Sequence, residues 1–171
     1  ERRNTRAAWH DATLEQIERL DRLVDSILAS VRVVPEDAAT VEPVDVQTLV
    51  DEVLHSLTPL LGRHHVETGG PAHLNGVADP SQLRQIVEHL VENAVKYAPP
   101  DTAITLDWRM VEGHVRLGVT DEGPGIPAEW RDRIFEPYAR RDTQTARGSG
   151  IGLYAAKRLA ESMSARLWCE P

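Results

Sequence analysis

The sequence predicts an α+β domain, an open sheet with helices on one face, preceded by one long amphipathic helix. Three observations predict it. Apolar residues recur at helical spacing in three well-separated stretches before Pro99. Two runs with strand-like alternation, Ile104–Met110 and Val115–Val119, flank a turn at Glu112-Gly113. Helical patterns both precede and follow that hairpin, which is the order of an α+β chain and not of repeated βαβ units. The bulk properties agree with a globular domain: hydrophobic residues make up 41% of the 171 residues and charged residues 27%. A formal net charge of −8 argues against broad attraction to nucleic acid or anionic lipid, so an anionic ligand requires a local cluster of donors. The single cysteine, Cys169, excludes an internal disulfide and a cysteine-built zinc cage, as suits a reducing cytosol. No apolar run approaches the roughly 20 residues that span a bilayer, and no direct membrane contact is expected.

The first helix is read from about Thr5 to Val33. Ile17, Leu20, Val24, Ile27 and Val31 form a heptad stripe that Leu14, Leu23 and Leu28 widen. So broad a face calls for bundle packing, across a dimer or back onto its own domain. Val34-Pro35 ends this helix, and residues 35–43 carry no apolar period, so they read as a linker between a unit at 1–34 and a domain at 44–171. Helical spacing resumes from Val44 to Leu61. Gly69-Gly70-Pro71 then reads as a turn between two short strands. Asp79-Pro80 with Gln82 predicts a capped helix start and a capping box, followed by the buried face Leu83, Ile86, Val87, Leu90, Ala94 and Val95, and a stop at Ala98-Pro99-Pro100. After the hairpin come a polar stretch holding a short helix near Ala128–Phe135, a helix from Ile151 to Ser162, and a last strand, Ala165–Cys169.

Three clusters carry chemistry. Asp121 continues the Val115, Leu117, Val119 alternation, so its carboxylate falls on the inward face and needs a hydrogen-bond donor there; the plainer alternative is a residue that opens a turn. Gly123 and Gly125 follow it in Asp121-Glu122-Gly123-Pro124-Gly125-Ile126, where bare backbone can approach a flat ligand closely. Gly148-Ser149-Gly150-Ile151-Gly152-Leu153 feeds a helix N-terminus, leaving N–H groups free for phosphate oxygens. It is neither the dinucleotide fingerprint nor a P-loop. His89, Asn93, Lys96 and Tyr97 share one stripe of the capped helix. Asn93 offers a hard oxygen for Mg²⁺, Lys96 a point charge and Tyr97 a flat ring, although each is also a common surface residue.

Taken in order, Asn93-Ala94-Val95-Lys96-Tyr97, Asp121-Glu122-Gly123-Pro124-Gly125-Ile126, Phe135 and Gly148–Leu153 resemble the N, G1, F and G2 boxes of sensor histidine kinases. These belong to the wider group of ATPases that includes DNA gyrase and the heat-shock chaperones. The resemblance runs from about Val44 to the end. It implies a two-layer α/β sandwich of the Bergerat type, with a mixed sheet and helices on one face. It implies that Asp121 accepts from the adenine amino group, that Asn93 holds Mg²⁺ with His89 as a further candidate ligand, and that Lys96 neutralises phosphate. Tyr97 would lie by the adenine; Gly123, Gly125 and Ile126 would pass close to the base. Gly148, Ser149, Gly150, Ile151, Gly152 and Leu153 would cradle the phosphates. Residues 126–147 resemble an ATP lid pinned by Phe135 and Tyr138, with Arg140 among its arginines, which also include Arg131, Arg133, Arg141 and Arg147.

The first helix resembles the second helix of a dimerisation and phosphotransfer bundle. ATP and Mg²⁺ are thus the implied cofactors, and a response regulator and the protein's own dimeric bundle the implied partners, on the cytoplasmic side of a membrane-bound sensor. The pattern departs from the family at His89, where asparagine is usual, and at Ser162-Met163-Ser164, where His-Gly-Gly is common. His10-Asp11 lacks the Thr/Asn-Pro continuation and lies too near Asn93 for a whole further helix to intervene. No phosphoacceptor histidine is therefore expected in this chain, which by itself would not autophosphorylate. Two alternatives stand beside this reading: a related kinase acting on serine of an anti-anti-sigma partner, and a catalytically silent nucleotide-binding or interaction module.

Overall fold

A computed structural model describes residues 40–139 and 150–170. The predicted bundle helix at 1–34, most of the linker, and Arg140, Arg141, Arg147, Gly148 and Ser149 of the lid and glycine loop lie outside the described residues.

Strand β1 (Glu42–Asp45) begins inside the stretch read as linker and takes Val44, which the sequence placed in a helix. The helix starts at Val46 because Asp45 is extended and its carboxylate accepts from Thr48 N–H at 2.9 Å, an N-cap. The predicted single helix is in fact α1 (Val46–Ser56) and a short α2 (Thr58–Leu61), divided where Leu57 leaves helical geometry and Pro59 enters. Strands β2 (His65–Gly69) and β3 (Asn75–Ala78) follow on either side of the predicted turn. They do not pair with each other. β3 pairs antiparallel with β1, whereas β2 runs parallel to β4 (Ala103–Val111), which pairs antiparallel with β5 (His114–Asp121). The sheet β2-β4-β5 is therefore mixed. At the β4–β5 turn Glu112 and Gly113 both have positive φ, the geometry of a two-residue I′ hairpin.

Between β3 and β4 runs α3 (Pro80–Tyr97), the longest helix among the described residues. Asp79 caps it: its Oδ1 accepts from Ser81 N–H at 3.0 Å, Gln82 N–H at 3.1 Å and the Ser81 hydroxyl at 2.7 Å. The Ser81 hydroxyl, then the Gln82 N–H, hold the Asp79 carboxyl below the usual carboxylate range. The capping box, however, is not closed. Gln82 is buried with its Oε1 2.6 Å from Ser162 Oγ, while Asp79 N–H faces Met163 Sδ at 3.2 Å. The competing partner on the next helix wins because it satisfies a buried amide. At the other end Ala98, preceding Pro99, takes extended ψ and stops the helix.

Two cores meet on α3. Val50 and Val53 of α1, Val87, Val91 and Ala94 of α3, and Ile104, Leu106 and Trp108 of β4 make the main one, with Leu117 and Val119 of β5 against it. Helices thus cover the face of the sheet that these β residues share. Val50, Val53, Val87, Val91, Ile104 and Leu106 are fully buried, and each contributes about 1.5–3 kcal/mol by that burial. The second core joins Ile86 of α3 to Ala156, Leu159 and Ala160 of α4 (Gly152–Ser162).

The short helix predicted near Ala128–Phe135 is two 3-10 turns, Ala128–Trp130 and Arg133–Phe135. The predicted final strand is not one. Leu167 and Cys169 are half-buried between exposed neighbours, as alternation requires, but no ladder joins this segment to β5. Arg116 of β5 holds it by side chains instead, pairing with Glu170 and lying 5.4 Å from the Trp168 ring. Helix α4 ends in a Schellman motif, with Ala165 N–H on Ala160 C=O at 2.8 Å and Ser164 N–H on Glu161 C=O at 3.0 Å. Ser164 sits at the left-handed position, φ 58°. Ser164→Gly is expected to raise stability by about 0.5–1 kcal/mol, read as an increase in urea midpoint at unchanged m.

Candidate nucleotide-binding site

The three chemical clusters converge on α3. Near its C-terminus, the backbone of Tyr97 meets the glycine turn after β5. A side-chain carbon at Gly123 would stand 3.1 Å from the Tyr97 carbonyl oxygen and 2.5 Å from Asp121 Oδ1. Only a residue without a side chain fits that approach. Two turns earlier, His89 faces Gly152, the first residue of α4, with 3.5 Å between its Nδ1 and the corresponding position. The eight-residue step from His89 to Tyr97 measures about 12 Å along the helix axis, so the two contacts lie well apart on one helix.

Near the Tyr97 end of α3, Asp121 lies opposite Ile104, so its side chain is on the inward face, as the alternation predicts. It is nevertheless exposed. The donor for Oδ1 comes from the chain itself: Gly123 N–H donates to it at 2.7 Å. The two readings of Asp121 therefore both hold, since it opens a turn and keeps a carboxylate on the inward face. Glu122 turns the other way and accepts from Ala103 N–H at 3.1 Å, tying the turn to the start of β4. Cys169 lies close enough to feel Asp121 and Arg131; burial pushes its thiol up, Arg131 opposes this, and Asp121 and Glu170 add to it. Tyr97 is exposed, with Lys96 Nζ 4.9 Å from its ring centre. Gly125 has a positive φ and Ile126 is half-buried, its carbonyl 3.4 Å from Arg131 Nε.

At the opposite end, α4 begins at Gly152 without any side-chain cap. Ile151 is buried, Leu153 half-buried, and Ala155 N–H is the first to bond back, to Ile151 C=O at 2.8 Å. The N–H groups of Gly152, Leu153 and Tyr154 thus precede the helical ladder, the arrangement that receives anions. Asn93, half-buried, lies on α3 one turn after His89.

The lid's described ends are fixed to this frame. Phe135 is buried with Lys157 of α4 5.2 Å from its ring centre, and Arg133 lies 4.5 Å from the Trp130 ring. Tyr138 N–H donates to Gly150 C=O at 3.1 Å, and the residue is 61% exposed. Its anchoring is thus seen in the backbone. Lys157 and Glu92, the latter 3.6 Å from His89 Nδ1, were missed in the sequence, although the three-residue step from His89 to Glu92 places the two on one helical face.

Residues 78–171, more than half of the chain, match the family described as Histidine kinase-, DNA gyrase B-, and HSP90-like ATPase. The chain belongs to that family.

Within this ATPase family its relatives are sensor kinases. Sensor-like histidine kinase SenX3 of Mycobacterium tuberculosis is 32% identical over 135 residues, covering 75% of this chain and 33% of the relative. The chain thus spans about a third of the length of that curated relative. Among solved structures, the mycobacterial sensor histidine kinase MprB superposes with a TM-score of 0.67 at 29% identity, covering 74% of this chain and 83% of that one. Full-length ShkA, solved in complex with AMPPNP, superposes at 0.70 with 29% identity over 92% of this chain and 34% of that one. The described part is accordingly an ATP-binding catalytic domain of the histidine kinase type, with the mixed sheet and helical layer expected of it. The serine-kinase alternative gains nothing from these relatives.

Proposed function

We propose that this domain binds ATP with a divalent cation and presents the γ-phosphoryl to a histidine on a dimerisation bundle, from which a response-regulator aspartate receives it. The observation that carries this reading is the pair of contacts along α3, Tyr97 on Gly123 at one end and His89 against Gly152 at the other. Asp121 anchors the adenine amino group through the carboxylate oxygen that Gly123 leaves free, beside Tyr97. Gly123, Gly125 and Ile126 let the base lie against the backbone. Lys96 and the start of α4, with Gly148, Ser149, Gly150, Ile151, Gly152 and Leu153, receive the phosphates; Tyr138 and Arg140 close over them from the lid.

The donor chemistry fits a cation. Asn93 offers an oxygen beside the phosphate end, and hard cations commonly take few protein ligands and complete their shell with phosphate oxygens and water. When bound, the cation offsets phosphate charge. The chain's own residues hold, orient and shield; none forms a covalent intermediate. Residues 1–34 would be the closing helix of the bundle of a homodimer, and the whole would lie on the cytoplasmic side.

The test uses the intact protein with γ-labelled ATP. We expect acid-labile, base-stable phosphate on the bundle histidine, passed on to a regulator aspartate. Label on serine, stable to acid, would point to the serine kinase; nucleotide binding without transfer would point to the silent module.

A further inference from the structure

We propose that the cation site of this domain is built to prefer a first-row transition cation over Mg²⁺, because His89 supplies it with an imidazole nitrogen that Glu92 orients. The inference rests on the nucleotide-site reading above and concerns which cation accompanies the phosphates.

The geometry begins on one helical face. His89 and Asn93 are four residues apart in α3, so their side chains stack one above the other. Glu92, three residues on from His89, brings Oε2 to 3.6 Å from His89 Nδ1, and the same ring edge lies by Gly152. The Glu92 carboxylate lies beside the Nδ1 edge of the ring, and Nε2 is at the other edge. Among the described residues Nε2 has no polar partner, and the His89 side chain is 31% exposed. An imidazole with one nitrogen beside a carboxylate and the other without a polar partner is the arrangement of a metal-ligating histidine and its outer-shell partner. The Nδ1 edge of the ring lies beside the uncapped start of α4, to which the reading above assigns the phosphates.

Ligand chemistry then decides the cation. Mg²⁺ demands a near-ideal octahedron of oxygens and gives up water reluctantly. Imidazole nitrogen favours first-row transition cations, with affinity rising from Mn²⁺ through Fe²⁺ to Co²⁺. A site with one amide oxygen, one imidazole nitrogen and phosphate oxygens therefore gains more from Mn²⁺ or Co²⁺ than from Mg²⁺. Among the described residues no group of three or more His, Cys, Asp or Glu could hold a metal ion by itself, so in this proposal the protein contributes a partial ligand set and the nucleotide the rest.

The experiment is a calorimetric titration of the whole chain with AMPPNP in Mg²⁺, Mn²⁺ or Co²⁺, repeated for His89→Asn and Glu92→Gln, with thermal melts of each variant to confirm folding. We expect the analogue to bind about tenfold tighter or more with Mn²⁺ or Co²⁺ than with Mg²⁺, a ratio that His89→Asn brings near unity and Glu92→Gln lowers. Pulsed electron paramagnetic resonance of the Mn²⁺ complex should show nitrogen coupling that His89→Asn removes. Equal binding in all three cations, or a cation ratio unchanged by His89→Asn, overturns the inference while leaving the nucleotide site intact. No binding with any cation overturns the nucleotide-site reading and this inference with it.

Discussion

Asp121→Asn is expected to weaken nucleotide binding about 100-fold or more without unfolding the domain. The asparagine carbonyl can still accept from Gly123 N–H, which donates to Asp121 Oδ1 at 2.7 Å, so the turn survives. What changes is the second atom. A carboxylate presents another acceptor to an amino group, whereas the amide presents an N–H₂ donor, and donor faces donor. A hydrogen bond to a charged group contributes about 1.5–3 kcal/mol, and leaving a polar group unpaired adds to the loss; about 1.4 kcal/mol is tenfold in affinity. A calorimetric titration with a non-hydrolysable ATP analogue reads the effect, and the thermal stabilisation by nucleotide should vanish with it. A variant that binds as tightly as the unaltered chain would remove Asp121 from the site. The exposure of this carboxylate sharpens the expectation, because an exposed group held by one backbone bond has no structural load to lose elsewhere.

The local signals were legible where a residue's neighbours in sequence are also its neighbours in space. The α3 cap, its stop at Ala98, the β4–β5 hairpin and the glycine turn after Asp121 all follow from adjacent residues. Readings failed where a distant partner decided the outcome. Gln82 was expected to close a capping box and instead meets Ser162, eighty positions away. Val44 has helical spacing, yet β3 recruits it into a strand. Ala165–Cys169 alternates as a strand does, but its hold on β5 comes from Arg116 and not from a ladder. The parallel pairing of β2 with β4 had no signature in either strand alone. For the site, the residue types and their order were visible, while the contacts that join them were not. Nothing in the sequence says that Tyr97 carbonyl limits Gly123 or that Lys157 lies over Phe135.

Trp108 gives the largest effect expected on the fold, and Gly70 is the means of proving why. Trp108 is 4% exposed in the main core, and its indole N–H donates to Pro71 C=O at 3.0 Å, fixing the ring across the β2–β3 connection. Trp108→Ala should cost about 3–5 kcal/mol, through lost burial, a cavity and an orphaned carbonyl. That is a large part of the 5–15 kcal/mol typical of a domain. Gly70 is packed against the same ring: a side-chain carbon there would lie 2.4 Å from Nε1 and 2.5 Å from Cε2. Since the indole is held on both sides, Gly70→Ala should cost about 1–3 kcal/mol by overpacking. Urea denaturation of the two single variants and the double variant separates the causes. If the clash with the ring is the whole cost at Gly70, the alanine there becomes nearly neutral once Trp108 is alanine, and the two costs fail to add by about the Gly70 term. Additive costs would instead mean that Gly70 is needed for its backbone alone. The consequence reaches the site, because β4 carries Trp108 opposite Leu117 of β5 and Ile104 opposite Asp121. A core that loosens at Trp108 therefore loosens the strand pair that presents Asp121, and nucleotide affinity should fall in the destabilised variants even though no residue proposed to face the ligand has been changed.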